Sequence, residues 1–419
     1  MRRPCTAGFR ERSVLAFSVV ILGTLILSAC TSIPIPIPIS QEASGQCQTG
    51  HPAGFLSTSH GELVDASGCV AHLTGVNWFG FETSTFVPHG LGVRNWQDML
   101  NQIARTGFNT IRLPFTNQLF DPASKPQGIN YRLNPDLRGL SGLALMDRII
   151  QGAGVRGLKV ILDRHDPTAD LRPDLWYTDQ MPQTRWMQDW VMLARHYRGN
   201  ETIIGADLAN EPHGPATWGD GNPSTDWRLA AQQVGNAVLA VNPDWLIIVE
   251  GIEQYQGDTY WWNGNLEGAR QYPSDYYWWG GNLEGVKQYP VRLSKPDKLV
   301  YSAHDYGPEI YMQSWFQSPD FPHNLPRVWQ EHWAYLQLQG TAPVLLGEFG
   351  GRSMGRDVGG VWQRSLIAFL KAHNISYTYW SWNPDSGDTG GILQDDWKTV
   401  NQAKIQVLNA YQWPLLGQR

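Results

Sequence analysis

Two glutamates, Glu211 and Glu348, each follow directly on an apolar run, in ADLANEPHG and LLGEFG. Cleavage of the acetal between two sugars needs an acid that protonates the leaving oxygen. It also needs a second carboxylate that attacks the anomeric carbon or directs water at it. Two carboxylates at the ends of different strands can supply this pair if the fold brings those ends together. The sequence therefore predicts glycosidic bond cleavage.

Five further polar residues stand at the ends of apolar runs, and we expect them to accompany the two glutamates. Arg112 can keep a nearby carboxylate ionised, and Asn210 can hydrogen-bond a sugar hydroxyl. His304 and Tyr306 can hydrogen-bond or orient the carboxylates. His165 either joins this group or is a core histidine held by a neighbouring aspartate, and the two roles are compatible.

The chain is rich in aromatic residues, with 20 tryptophans and 16 tyrosines. Wide flat rings near strand ends either fill a core or stack on a ligand such as a sugar. Trp380 in YTYWSW is expected to stack on substrate. Trp382, two residues further along, is expected to be a packing residue.

Eight apolar segments alternate with amphipathic helical stretches from residue 55 onward, which indicates parallel strand pairing. Eight such units over about 350 residues predict an α/β fold, a (β/α)8 TIM barrel, in which all strand ends meet at one rim. A hairpin, FLSTSHGELVDASGCV, precedes the barrel and is expected to close its opposite end. The predicted strands are residues 75–80, 110–115, 159–165, 203–210, 246–252, 299–306, 344–350 and 377–382.

Several motifs in chain order, ADLANEPHG, IRLPF, ILDRHDP, YSAHDYGP, LLGEFG and YWSWNPDSGDTGGIL, resemble glycoside hydrolase family 5. Within that family the chain is most similar to bacterial endo-β-1,4-glucanases. The resemblance implies a retaining mechanism with Glu211 as general acid/base and Glu348 as nucleophile. It implies that the other strand-end residues bind substrate, and that no cofactor is required. Their set is Arg112, His165, Asn210, His304, Tyr306 and Trp380.

A tandem repeat of 17 residues follows the fifth predicted strand, with copies that begin YWWNGNLEG at residue 260 and YWWGGNLEG at residue 277. Trp261 and Trp262, or Trp278 and Trp279, can take the aromatic platform position that the resemblance implies. We expect Trp279 to take it, because the second copy leads directly into the sixth strand. The extra copy is either a tolerated loop duplication or an extended aromatic wall.

The N-terminus has the pattern of an export signal, with arginines ahead of an apolar stretch too short for a confident membrane span. We expect a signal peptide at 1–29, lipidation of Cys30, a proline-rich linker at 30–52 and a catalytic domain at 53–415. The protein would be secreted, or anchored by lipid at the bacterial cell surface or outer membrane. Cys47 and Cys69 are either a disulfide or two free thiols.

Composition and motifs weigh against other functions. A net charge of −6 is unlike that of a nucleic-acid binder. The GRSMG motif around Ser353 suggests an esterase elbow, but it lies too far beyond the strand. A metal site of His165, His213 and His304 lacks a local ligand spacing, so none is expected. A monomer that cleaves β-1,4-glucan is favoured; a mannan or xyloglucan hydrolase and a noncatalytic carbohydrate-binding lipoprotein remain alternatives.

Overall fold

The computed structural model describes residues 47, 52–255 and 276–417. Eight parallel strands form a closed barrel, and three short strands form a separate antiparallel sheet. The predicted (β/α)8 barrel is confirmed. The strands are β1 (Leu56–Ser59), β2 (Glu62–Asp65), β3 (Val70–Ala71), β4 (Thr74–Asn77), β5 (Thr110–Thr116), β6 (Lys159–Asp166), β7 (Ile203–Asp207), β8 (Leu246–Glu250), β9 (Leu299–His304), β10 (Val344–Glu348) and β11 (Ser376–Tyr379). The order of strands around the barrel is β10-β11-β4-β5-β6-β7-β8-β9.

The helices alternate with the barrel strands and begin at polar caps. Asn95, Asp226 and Asp357 each accept hydrogen bonds from backbone N–H groups of the first turn that follows. The α-helices are α1 (Trp96–Arg105), α2 (Gly142–Val155), α3 (Gln183–His196), α4 (Trp227–Val241), α5 (Leu325–Trp329), α6 (Tyr335–Leu338), α7 (Val358–Ala372) and α8 (Gln402–Leu408), with a π-helical segment, Gln330–Ala334, between α5 and α6. Short 3-10 helices lie at Asn117–Phe120, Pro135–Leu137, Glu284–Lys287, Pro296–Lys298 and Ser314–Gln317.

The predicted strands are correct in number and place, but six of the eight were drawn too long at the carboxyl end. The run 203–210, for example, pairs only as far as Asp207. Leu208 and Ala209 are fully buried beyond the last ladder pair. An apolar run indicates buried residues and not strand pairing as such. Apolar runs therefore continue past the paired strands into the loops that carry the site.

The antiparallel sheet β1–β3 closes the amino-terminal end of the barrel, as the hairpin prediction required. Its apolar side chains share a buried cluster with barrel residues. Two buried lysines add polar links, because Lys298 Nζ donates to Leu56 O at 2.8 Å and Lys159 Nζ donates to Gly54 O at 3.1 Å. The cluster includes Leu56, Leu63, Ala71, Leu73, Ile161, Ile204, Leu246 and Val300.

Cys47 and Cys69 form a disulfide, which decides between the two alternatives left open by the sequence. The predicted signal peptide and Cys30 lie outside the described residues, as does most of the linker. In the described part of the chain no helix has the length and apolar character needed to cross a bilayer.

Candidate active site

A cleft of about 1250 Å³ opens at the carboxyl ends of the barrel strands. Glu211 and Glu348 both line it, although 137 positions separate them in the sequence. One carboxylate oxygen of each lies within 4.8 Å of the other, and both lie within that distance of a ring nitrogen of His304. The structure therefore brings the two glutamates together, as the sequence predicts.

The Glu348 carboxylate is fixed at both oxygens. Arg112 Nη1 donates to its Oε1 at 2.5 Å, and the Tyr306 hydroxyl donates to its Oε2 at 2.7 Å. Burial and the negative charge of Glu348 raise the pKa of Tyr306 well above its usual value, so the phenol remains a donor. Glu348 is the last residue of β10, so its position is also set by the barrel ladder.

Arg112 lies at the centre of the site and is completely buried. Burial alone would lower its pKa, but the surrounding carboxylates keep that pKa above the usual value. A planar guanidinium offers five donors in a fixed geometry, so one side chain can align several acceptors. Its partners are Asp163 at 3.1 Å, Asp207 at 2.8 Å, Glu250 at 3.0 Å, Glu348 at 2.5 Å, Asn77 at 3.0 Å and Asn210 at 3.0 Å.

Glu211 is held through both its side chain and its backbone. His304 Nδ1 lies 2.9 Å from its Oε1. Its backbone has φ +51°, a left-handed conformation that costs a non-glycine residue free energy. The Glu211 N–H donates to Glu250 Oε2 at 2.7 Å, which stabilises this conformation.

The pKa values of Glu211 and His304 shift in opposite directions. Burial raises the pKa of Glu211, but the hydrogen bond and charge of His304 outweigh burial and lower it overall. Burial lowers the pKa of His304, but Glu250 and Glu348 outweigh it and raise that pKa well above the usual value. Both shifts favour an ion pair of a charged His304 and an ionised Glu211.

Glu250, Asp207 and Asn77 are site residues that the sequence analysis missed. Asp207 and Glu250 are the last residues of β7 and β8, and both are fully buried. Burial raises the pKa of Asp207 to about 7 and that of Glu250 to about 8. The available signal was an acidic residue at the end of an apolar run, the same signal that identified Glu211.

His165 is buried and combines the two roles that the sequence allowed. Its Nδ1 lies 2.7 Å from Asp163 Oδ2, and its ring lies parallel to that of Trp380 with centroids 5.4 Å apart. Burial lowers its pKa well below the usual value, so the ring is neutral and donates to the aspartate. Trp380 lines the cleft, whereas Trp382 is fully buried and packs edge-on against Phe108.

Trp279 forms an exposed platform beside Glu211. Trp279 is 41% exposed. One face of its ring stacks on the His213 ring, with ring centroids 3.7 Å apart and planes inclined by 6°. Its Nε1 donates to Glu253 Oε1 at 3.0 Å. Trp278 is buried and packs edge-on against Tyr306. Trp261 and Trp262 lie outside the described residues.

Gly280 explains why the second repeat copy fits against Glu211. The residue has φ +67°, and a Cβ atom there would lie 2.4 Å from Glu250 Oε2 and 3.2 Å from Glu211 Cα. The first copy carries Asn263 at the equivalent position. An asparagine side chain has no room against the Glu250 carboxylate, so the sequence of the second copy is the one suited to this position.

The alternative chemistries find no support in this geometry. Ser353 Oγ donates to Asp357, and the Asp357 carboxylate caps α7, so the GRSMG segment is a helix-capping turn. Three groups of described side chains are close enough to share a cation, and none of them combines His165, His213 and His304. Arg112 contacts carboxylates in all three groups and already supplies positive charge there.

Comparison with known proteins shows what the chain as a whole is similar to. The family model described as cellulase, glycosyl hydrolase family 5, matches residues 64–386. An endoglucanase of Paenibacillus polymyxa is 50% identical over 368 residues, covering 87% of this chain and 88% of the relative. The major extracellular endoglucanase of Xanthomonas campestris pv. campestris is 42% identical over 363 residues, covering 85% of this chain and 70% of the relative.

Solved structures show the same similarity. A complex of an endocellulase from Pyrococcus horikoshii with cellotetraose superposes with a TM-score of 0.77 at 43% identity. That match covers 86% of this chain and 99% of the other. The catalytic domain of the Xanthomonas campestris enzyme gives a TM-score of 0.77 at 41% identity, covering 84% of this chain and 98% of the other.

Gly280→Ala tests the close packing at Glu211. The added Cβ must displace Glu250 Oε2, so the hydrogen bond to the Glu211 N–H is lost and the carboxylate moves. We expect kcat on carboxymethylcellulose to fall by about tenfold or more, since misplacement by about 1 Å can cost about a hundredfold. Gly199→Ala is the matched control, because it has φ +80° and an open surrounding. If kcat falls equally in both variants, backbone strain alone explains the loss and the close packing at Glu211 is contradicted.

Glu82 predicts a pH dependence of stability. Burial raises the pKa of Glu82 to about 8. Its Oε2 accepts a hydrogen bond from the Gly80 N–H at 2.7 Å, and the side-chain oxygen of a glutamine can accept the same bond. A folded-state pKa above the unfolded one makes the wild type lose stability as pH rises from about 4.5 to about 8. The Tm of Glu82→Gln minus that of the wild type should therefore be larger at pH 8 than at pH 5. The exposed Glu201→Gln should show no such trend, and a constant difference for Glu82→Gln would contradict the buried neutral acid.

Proposed function

The chain belongs to glycosyl hydrolase family 5, the cellulases, and from this premise we propose that it cleaves internal β-1,4-glucosidic bonds by a retaining double displacement. It is a glycoside hydrolase, and its activity is that of an endo-β-1,4-glucanase. The observation that carries the mechanism is the separation of at most 4.8 Å between one oxygen of Glu211 and one of Glu348. Retaining enzymes place their carboxyl groups about 5–5.5 Å apart, whereas inverting enzymes leave about 6.5–9.5 Å for a water.

Glu348 is the nucleophile in this proposal. Its carboxylate attacks the anomeric carbon and forms a glycosyl ester as the bond to the leaving oxygen breaks. Arg112 and Tyr306 hold the two oxygens, so the attacking lone pair is oriented before substrate arrives. As the ester forms, the negative charge beside Tyr306 and His304 decreases.

Glu211 is the general acid and then the general base. In the first step it gives a proton to the leaving oxygen, and in the second it takes one from the water that attacks the ester. His304 Nδ1 lies 2.9 Å from Glu211 Oε1 and can return the proton to it. Loss of the Glu348 charge during attack weakens the hold of His304 on that proton, because Glu348 is one cause of the raised pKa of His304.

Substrate contacts follow from the side chains around the pair. Trp279 is 41% exposed, and Trp380 lines the cleft although it is only 7% exposed; both stack on glucosyl units of the substrate in this proposal. Arg112 fixes Asn210 Oδ1, which leaves the Asn210 amide nitrogen as the donor for a sugar hydroxyl. All groups in this mechanism come from one chain, so we propose a monomer; a solution mass of two chains would contradict it.

Isosteric variants test the two roles. Glu348→Gln and Glu211→Gln should each lower kcat on carboxymethylcellulose by at least about a hundredfold, while the exposed Glu201→Gln stays at the wild-type value. A dinitrophenyl cellobioside separates the roles, because its leaving group needs no protonation. It should restore bond cleavage in Glu211→Gln but not in Glu348→Gln. Cleavage of this compound by Glu348→Gln at the wild-type rate would exclude Glu348 as the nucleophile.

The same assay decides the substrate. Carboxymethylcellulose, barley β-glucan, xyloglucan and mannan are compared at equal mass, with product sizes recorded. Short soluble products from cellulose derivatives support internal β-1,4-glucan cleavage. Faster cleavage of mannan or xyloglucan would favour the alternative hydrolases, and the absence of new reducing ends on all four would favour a noncatalytic binding protein.

We also propose that the protein is exported and held at a membrane surface by lipid on Cys30. The support is the sequence pattern of an apolar stretch ending in Leu27-Ser28-Ala29-Cys30, followed by the TSIPIPIPIS tether. Cys30→Ser should move the enzyme from the membrane fraction to the soluble fraction of a bacterial host, with kcat unchanged. Wild-type protein that is entirely soluble after export would contradict the anchor.

A further inference from the structure

The tandem repeat changes one residue next to the aromatic platform. Tyr276 is the last residue of the first copy and immediately precedes the second copy, which begins at Tyr277. Thr259 is the residue that precedes the first copy. Without the duplication, the platform segment would therefore follow a threonine rather than a tyrosine.

Tyr276 lines the cleft with its side chain 42% exposed. Tyr311, which is 57% exposed, lines the same cleft. Single exposed aromatic residues are common on protein surfaces and need no function. Two exposed tyrosines that line the same cleft as the Trp279 platform are a more specific arrangement.

Both tyrosines have backbone carbonyls that accept hydrogen bonds from Gln313. Gln313 is 3% exposed, and its Nε2 donates to the Tyr276 carbonyl at 2.9 Å. The Gln313 backbone N–H donates to the Tyr311 carbonyl at 3.0 Å. The two rings are therefore presented by backbone segments anchored to a common point, which lowers the entropy that ligand stacking would cost.

Tyr276 can be assigned to one side of the cleaved bond from its position relative to Glu211. Glu211 protonates the leaving oxygen, so the departing part of the chain lies toward Glu211. Gly280 contacts Glu211, and Trp279 stacks on His213 two residues further along from Glu211. Trp279 is three Cα–Cα steps from Tyr276, a reach of at most about 11 Å, which is a span of about two sugar rings.

We propose that Tyr276 forms, with Tyr311, a stacking subsite for a glucosyl unit beyond Trp279 on the leaving-group side, and that the duplication created it. This inference rests on the proposed function. The occupant is a β-1,4-linked glucan chain, whose sugar rings present apolar C–H faces to the tyrosine rings. The subsite favours substrates long enough to reach it.

Two deletions of equal length test the subsite directly. Deletion of residues 260–276 removes Tyr276 and joins Thr259 to Tyr277, whereas deletion of residues 259–275 joins Asp258 to Tyr276. Both leave one copy of the repeat, and they differ only in threonine or tyrosine before Tyr277. The point variants Tyr276→Thr and Tyr276→Phe accompany them in the full chain.

The expected readout is a length-dependent loss. Deletion of 260–276 and Tyr276→Thr should lower kcat/KM on cellohexaose by about fivefold, mainly through KM, the size of loss typical of one aromatic contact. Deletion of 259–275 and Tyr276→Phe should remain near the wild type. Hydrolysis of an aryl cellobioside should be unchanged in all four, because its leaving group does not reach the subsite.

Equal kcat/KM of the two deletions on cellohexaose, together with wild-type behaviour of Tyr276→Thr, would overturn the subsite. A uniform loss on both substrates in Tyr276→Thr would also overturn it, since that pattern reports damage to the catalytic centre. If a deletion fails to fold, the point variants decide. A wild type that cleaves neither substrate would instead refute the proposed function.

Discussion

The buried Arg112 guanidinium is the interaction on which the site depends. It contacts four carboxylates from β6, β7, β8 and β10, and so ties half of the barrel rim to one side chain. One positive charge cannot balance four negative charges away from water, which is why burial raises the pKa of Asp163 to about 6, that of Asp207 to about 7 and that of Glu250 to about 8. Protons and the charged His304 supply the remaining compensation. Because buried ion pairs add little net stability, the arrangement is better understood as one that positions Glu348 and Glu211.

The barrel and most of the site could be predicted from sequence because a single physical rule covers them. Apolar runs of strand length mark buried parallel strands, and polar residues just past those runs meet at one rim. Glu211, Glu348 and His304 follow from that rule, whereas Arg112 is the third residue of β5 and contacts the strand-end carboxylates from within the barrel. Asp207 and Glu250 satisfy it too, but an acidic residue at the end of a run does not reveal by itself whether it contacts a ligand or another side chain. Only the arrangement around Arg112 shows that these two support the catalytic pair.

Other features depend on contacts that no local pattern encodes. The left-handed backbone of Glu211 precedes a proline, where sequence favours an extended conformation. The conformation persists because Glu250, 39 positions away, accepts the Glu211 N–H. The fit of the second repeat copy against Glu211 likewise depends on a contact that is distant in sequence. Residues 263 and 280 differ by a single side chain, and the difference matters only because the Glu250 carboxylate lies where that side chain would be.

Glu250 thus affects both the strained backbone of Glu211 and the protonation of the Glu211 carboxylate. One of its oxygens holds the Glu211 backbone, while the other contacts Arg112 and lies 3.3 Å from His304 Nε2. In its ionised form Glu250 raises the pKa of His304 more than any other group does, and His304 in turn lowers the pKa of Glu211. Alanine at position 250, which has neither the charge nor the acceptor oxygen, would therefore remove both effects at once. The backbone would lose its anchor, and the proton would move from His304 toward Glu211. Position and protonation state of the acid/base are consequently set by the same carboxylate, which lies deeper in the barrel than the reacting bond.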